Sequence, residues 1–197
     1  MKTYVSIGLL VVGLLLAMNG CSSYNGIKLK NEDIQASAGN LQVQYQRRMD
    51  LIPKLVKVVS SYANFEKSTL AGVTAARSQA ATIKIDANNM TPQSLAAFDA
   101  AQSNVSSSLS RLMVVMEKYP DLKANTQFVA LQAEIAGTEN RIAIARGDFN
   151  DIVKLYNRYI DVIPKSMWAS AFGFHVKPYF QANANAQDAP DINMDIH

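Results

Sequence analysis

Residues Asn125–Ile163 read NTQFVALQAEIAGTENRIAIARGDFNDIVKLYNRYIDVI. Along them Phe128, Leu131, Ile135, Thr138, Ile142, Ala145, Phe149, Ile152, Tyr156, Tyr159 and Ile163 follow one another at steps that alternate three and four. A spacing that averages 3.5 residues marks a helix whose single stripe packs along partner helices. At 1.5 Å per residue the rod is roughly 55 Å long. A rod of that length cannot bury its stripe alone, so the rest of the chain must supply helices to lie beside it.

Upstream segments supply them. Ile34, Ala38, Leu41, Tyr45, Arg48, Ile52, Leu55, Val59 and Tyr62 form a second stripe in the same phase. Asn31 before Glu32 and Asp33 suits the N-cap of that helix. Pro53 falls inside the pattern, where it removes one backbone donor and kinks the helix without changing its phase. Phe65, Leu70, Val73, Arg77 and Ala80 make a weaker, Ala-rich stripe, and the pattern leaves open whether the chain breaks near Asn64. Asp86-Ala87-Asn88-Asn89 is the clearest loop. Thr91-Pro92 then reads as an N-cap with proline at the first helical position. The helix it opens carries Leu95, Phe98, Gln102, Val105, Leu109, Leu112, Met116 and Tyr119 and stops at Pro120. Asn125 is the expected N-cap of the long helix. The fold class is therefore all-α: an elongated antiparallel bundle of three to four long helices with left-handed, 3.5-residue packing.

The ends carry the address. Lys2 precedes an apolar run from Tyr4 to Met18, shorter than the ~20 residues a spanning helix prefers. Met18-Asn19-Gly20-Cys21 follows and resembles a bacterial lipobox, in which a small residue precedes a cysteine that is lipidated; Met18 and Asn19 depart from its commonest form. Cys21 is the single cysteine among 197 residues. The reading is a lipoprotein-type signal peptide over 1–20, with an uncleaved membrane anchor as the alternative. Ser22 at the position after the cysteine is not Asp, which in a Gram-negative cell points to the outer membrane. Residues 21–30 read as a polar tether, 31–180 as the bundle with a C-terminal aromatic segment, and 181–197 as a disordered tail rich in Asn, Ala and Asp.

Together Arg47-Arg48-Met49-Asp50-Leu51-Ile52-Pro53-Lys54-Leu55-Val56, Tyr119-Pro120-Asp121-Leu122-Lys123-Ala124-Asn125, Gly137-Thr138-Glu139-Asn140-Arg141-Ile142-Ala143, Tyr156-Asn157 and Phe172-Gly173-Phe174 resemble the LemA family of bacterial envelope proteins. The similarity runs in order from Tyr24 to Phe180. It implies an N-terminal membrane anchor, an elongated helical bundle and no known enzymatic activity.

Chemistry is scarce. A net charge of +3 without a basic run argues against nucleic acid as a partner. One Cys and two late His argue against a metal centre. No Glu stands three residues before His175 or His197, so the paired motif of a di-metal bundle is absent. There is no phosphate-binding glycine loop and no Ser-His-acid set, and no cofactor or small-molecule substrate is indicated. Arg48 and Arg77 fall on core-type positions, with Glu139 and Asn140 beside the stripe of the long helix. A buried charge needs a partner, so Arg48, and Arg77 with it, is expected to meet Glu139, Glu134 or Glu117 and fix the register. The alternative is a ligand or enzyme site around Arg48 and Glu139. Gly137 is expected to allow close helix approach. Trp168, Phe172, Phe174, Tyr179 and Phe180 cluster after the long helix, either as a plug on one bundle end or as an exposed patch for a partner or a membrane. The function that follows is a non-enzymatic envelope protein. Lipidated Cys21 holds it to the membrane, facing the periplasm or exterior, and its helical rod is offered to an envelope protein whose identity the sequence does not give.

Overall fold

The computed structural model describes residues 2–62 and 65–181. Among them are six helices and no strand: α1 (Lys2–Ser60), α2 (Lys67–Thr82), α3 (Pro92–Met116), α4 (Pro120–Lys123), α5 (Thr126–Asp161) and α6 (Lys165–Ala171). α1 packs mainly on α5 and α2 mainly on α3. α1 and α5 run antiparallel, for Gly26 meets Tyr159 at one end and Tyr62 meets Asn125 at the other.

The caps are where the sequence places them. Asn125 Oδ1 accepts the Phe128 N–H at 3.0 Å. Thr91 and Ser94 form a reciprocal capping box, with Pro92 inside the first turn. α1 ends at Ser60 and α2 begins at Lys67, so the two are separate helices, although Asn64 itself lies outside the described residues.

Three expectations are corrected. Residues 21–30 are not a tether: they are helical and continuous with α1. Asn31 is not an N-cap but a buried mid-helix residue whose amide donates to Asn88 Oδ1 at 3.4 Å. The buried stripe of α1 runs upstream through Ile27 and Ser23 to Gly20, at steps of three and four. Small and polar residues carry it there, so an apolar pattern does not reveal it. The third correction concerns the end of α5. Its buried residues are Phe128, Ile135, Thr138, Ile142 and Phe149, then Val153, Tyr156 and Ile160, while Ile163 is 83% exposed. A straight helix of 3.6 residues per turn drifts about 20° per heptad from a 3.5 repeat, enough over the roughly five heptads of α5 to move the buried edge by about one position. The tail expected beyond Gln181 lies outside the described residues.

Two apolar cores divide the bundle. One holds Met49–Val59 of α1, Val73 and Ala80 of α2, Val105–Met116 of α3, and Phe128 and Ile135 of α5. The other holds Ile27–Tyr45 of α1, Leu95 and Phe98 of α3, Ile142–Ile160 of α5, Ala169 and Phe180. The second core lies toward the apolar N-terminal stretch, and α2 does not reach it. The α2–α3 connection, with buried Ala87 and Met90, and residues 174–181, an extended segment laid along α5, complete it. Gly173, with φ +74°, makes the turn into that segment, a conformation glycine adopts without steric cost. The Phe174 N–H then closes on the Ala169 carbonyl at 2.8 Å, ending α6.

Candidate functional site

Between the two cores lies a polar layer. Arg48 is 1% exposed. Its Nη1 donates to Glu139 Oε1 at 2.7 Å and to Ser106 Oγ at 2.8 Å. Its Nη2 donates to the Gln102 side-chain oxygen and, at 3.3 Å, to the Gln102 carbonyl. The guanidinium also lies over the Tyr45 ring. Three helices thus meet on one side chain: α1 brings the charge, α5 the counter-charge and α3 the neutral acceptors. Of the three acids expected for Arg48, Glu139 is the partner. Glu134 pairs with the exposed Arg47 at 3.0 Å and Glu117 with Lys123 at 2.6 Å.

Arg77 does not join this layer. Its Nε donates to the Met49 carbonyl at 2.9 Å. Met49 stands four residues before Pro53, whose ring nitrogen has no proton to offer that carbonyl. Met49 is buried, so the proline leaves an acceptor that solvent does not reach, and Arg77 satisfies it from α2. Asn140 is exposed and outside the cluster. Gly137 meets no neighbouring helix; a Cβ there would touch only the Arg141 guanidinium, at 3.6 Å and beyond. The close approaches are instead at Gly20 and Gly26. A Cβ on Gly20 would lie 3.2 Å from the Trp168 ring, and one on Gly26 would collide with the Tyr159 hydroxyl.

The polar layer opens on a cleft of about 490 Å³ between α3 and α5. Ser103, Ser106 and Ser107 line one wall and Ala143 and Gly147 the other. These short side chains hold the walls apart, and α3 and α5 reach each other through long ones. Arg146 Nη1 comes within 2.7 Å of Asp99 Oδ1, an ion pair in which that oxygen is not aligned to accept a hydrogen bond. Two guanidinium groups therefore face two carboxylates, and the charges balance. Arg48 Nε is buried without an aligned partner, and the buried Tyr45 hydroxyl has only the neighbouring Arg146 guanidinium beside it. Burial pushes the Tyr45 phenol above its ordinary value of 10.0, while the Arg146 and Arg48 charges pull it back down.

The five aromatic residues do not form one patch. Phe180 is buried against Phe149 and Phe98 and closes one end of the cleft. Tyr179 is exposed, its hydroxyl accepting from Asn157 at 3.1 Å. Trp168 stacks on Phe172 at the base of the bundle, where Tyr24 of α1 meets Phe172 and Phe174.

The residues that sequence reasoning missed are those that hold the extended segment. Asn157 binds both backbone groups of Lys177, each at 2.8 Å, and Asn150 binds both of Phe180, each at 2.9 Å. The Tyr156 hydroxyl donates to the His175 carbonyl at 3.2 Å. Lys177 Nζ donates to the carbonyls of Ala87 and Asn88, both at 2.9 Å, and burial lowers its pKa. Two asparagines seven residues apart on one helix were the available signal, and their meaning depends on a segment that only the fold brings near.

Across the N-terminus, residues 3–19 are helical, apolar and exposed. They belong to the one helix among the described residues that is, by length and composition, long and apolar enough to cross a membrane. The sequence profile of the LemA family matches residues 37–194. Magnetosome protein MamQ 2 of Paramagnetospirillum magneticum is 28% identical over 88% of this chain and 70% of its own length. Magnetosome protein MamQ of Magnetospirillum gryphiswaldense is 27% identical over the same shares. Protein LemA of Metamycoplasma hominis is 26% identical over 87% of this chain and 73% of its own.

Proposed function

Because the chain belongs to the LemA family, we propose that it is a non-enzymatic, membrane-anchored envelope protein whose rigid helical bundle serves as a docking rod for another envelope protein. One observation carries this reading. A single helix, α1, is apolar and exposed over residues 3–19 and buried within the bundle from Gly20 to Val59. As an uncleaved helix, anchor and rod are one element; in the lipoprotein form cleavage before Cys21 removes residues 1–20 and the lipid sits on the first residue of the rod, so in neither form does the bundle swivel on a linker. Its position relative to the membrane is fixed, which suits scaffolding at a set height. The lipobox-like Gly20-Cys21 supports a lipid on Cys21, which is exposed. One acyl chain binds a membrane marginally and several hold it stably, so a multiply acylated cysteine serves as well as a spanning helix.

The test is photo-crosslinking in intact envelopes from exposed apolar positions on three faces, Val43, Val114 and Ile144. The expected result is a discrete adduct to one envelope protein from one face. No adduct from any face would overturn the docking reading. A palmitate analogue is expected to label the chain, and Cys21→Ala is expected to abolish labelling and leave a precursor of unprocessed size. Unchanged labelling would replace the lipoprotein form with the uncleaved anchor.

A second reading rests on the cleft. A space lined by Tyr45, Arg48, Arg146 and three serines fits a small ligand bearing acceptor oxygens. Thermal stabilisation of the full chain by a small-molecule panel, lost in Tyr45→Phe, would move the assignment toward a binding protein.

A further inference from the structure

The base of the bundle carries an apolar free surface. Ile163 is 83% exposed, Met167 69%, Phe172 43% and Tyr24 42%. They surround Trp168, which stacks on Phe172 with ring centroids 5.9 Å apart. Monomeric soluble proteins rarely leave a contiguous apolar surface of this kind without a use for it.

Its height along α1 identifies what covers it. Trp168 packs on Gly20, and Tyr24 packs edge-on to Phe172 at 5.2 Å. The base therefore lies level with residues 20–24. The apolar exposed helix runs from residue 3 to residue 19, about 25 Å at 1.5 Å per residue. A hydrocarbon core of about 30 Å takes roughly 20 helical residues, and counted from Thr3 these reach residue 22. The membrane boundary then falls on the level of Trp168. Lipidation at Cys21 gives the same height, because the acyl chains would start one residue beyond Gly20. Just above, Lys165 Nζ and Lys30 Nζ sit 3.7 and 5.3 Å from the centre of the Tyr159 ring. Lys28 is nearby, partly offset by Glu32 at 3.9 Å, and the exposed Asp161 closes α5. Apolar side chains below, Trp and Tyr at the boundary and lysines above follow the order of a bilayer interface.

We infer that the α5–α6 elbow, with Tyr24, Ile163, Met167, Trp168 and Phe172, is bedded in the phospholipid interface, so that the bundle stands directly on the bilayer. This rests on the anchored reading above, and one experiment separates the two. Trp168 is the chain's only tryptophan and reports its own depth. The full chain is reconstituted into vesicles of phosphatidylcholine and phosphatidylglycerol. Flotation with the vesicles reads the anchor. Quenching of Trp168 by lipids brominated near the glycerol end, against quenching by aqueous iodide, reads the base. The expected result is strong quenching by the brominated lipid and several-fold protection from iodide. Met167→Glu, at a position free of packing, is expected to reverse that order while flotation and helix content stay unchanged. A chain that floats but whose Trp168 is reached by iodide and not by lipid would overturn the inference. Protection from both quenchers would also overturn it, by showing a second copy on the patch. A chain that does not float would overturn the anchored reading itself.

Discussion

The two halves of the bundle solve the same problem in different ways. In the distal half, around Leu55, Val105 and Phe128, four helices meet and the backbone is satisfied within each helix except at Pro53. In the proximal half, α2 is missing, and the α2–α3 connection together with an extended segment laid along α5 completes the core. A helix hydrogen-bonds itself, but an extended segment on a helix does not. Its N–H and C=O groups need side chains, and Asn150 and Asn157 provide them. The distal half is thus held by apolar periodicity and the proximal half by particular polar side chains. Arg48 stands where the two solutions join.

The largest effect is expected at that junction. Arg48→Ala removes a 1%-exposed side chain and strips donors from Gln102, Ser106 and Glu139 at once. Losing one member of a buried pair costs roughly 3–5 kcal/mol. The value should fall toward the lower end, because Glu139 borders the cleft and water can reach it. Arg48→Met should be milder, since it keeps the apolar stem. Arg47→Ala, whose pair with Glu134 is exposed, should cost about 1 kcal/mol or less. Urea unfolding of the three variants checks the order, and equal losses for Arg47→Ala and Arg48→Ala would remove Arg48 from the interior.

The distal half is sharpened by Pro53. Arg77→Ala should cost about 1–3 kcal/mol, because it leaves the buried Met49 carbonyl without a donor. Pro53→Ala restores an N–H to that carbonyl, so Arg77→Ala should cost much less in the Pro53→Ala background. A double-mutant cycle measures the difference, and additive losses would show that Arg77 and Pro53 are not linked through Met49.

The proximal half should break locally. Asn157→Ala removes two hydrogen bonds to Lys177 and should destabilise the C-terminal segment by about 1–3 kcal/mol. Hydrogen exchange is the measurement. Amides of 174–181 should exchange faster while those of α1 and α3 in the distal half stay protected. Uniform acceleration would mean that the segment and the bundle open as one unit.

The same contrast governs what could be read from the sequence. Distal helices were legible because apolar spacing and caps are local: Thr91 and Asn125 cap where their neighbours say, and the stripe of α1 keeps its phase through Pro53. Arg48 was legible as a charge out of place, and Glu139 as one of three acids within reach. Choosing among them needed the α1–α5 register. The upstream extension of α1 was hidden because Gly20, Ser23 and Asn31 bury backbone and small polar groups against bulky partners, with no apolar period to see. Arg77 was misread because its partner is a backbone carbonyl, and backbone groups do not appear in a charge pattern. Asn150 and Asn157 have no local meaning at all until residues 174–181 lie beside them.

Tyr45 gives the smallest and most diagnostic effect. Its ring packs edge-on to Phe98 in the proximal core, while its buried hydroxyl lies at the wall of the cleft beside the Arg146 guanidinium. Deleting that hydroxyl while keeping the ring should change stability by about 1 kcal/mol or less at neutral pH. The difference should emerge at high pH. Burial raises the folded pKa of Tyr45 above 10.0, with Asp99 adding to the rise and Arg146 and Arg48 opposing it. The folded state then holds its proton longer than the unfolded chain. The stability this gives is complete below pH 10.0 and is lost as pH climbs through the folded value. Tyr156, raised by burial, acts in the same direction. Lys177, lowered by burial, acts in the opposite one: its folded form sheds its proton first, so stability grows as pH approaches 10.5. Melting curves across the alkaline range should therefore fall less steeply for Tyr45→Phe than for the unmodified chain. Identical slopes would mean that the hydroxyl is solvated through the cleft, and the floor of the cleft would then be open to water and to any ligand water can replace.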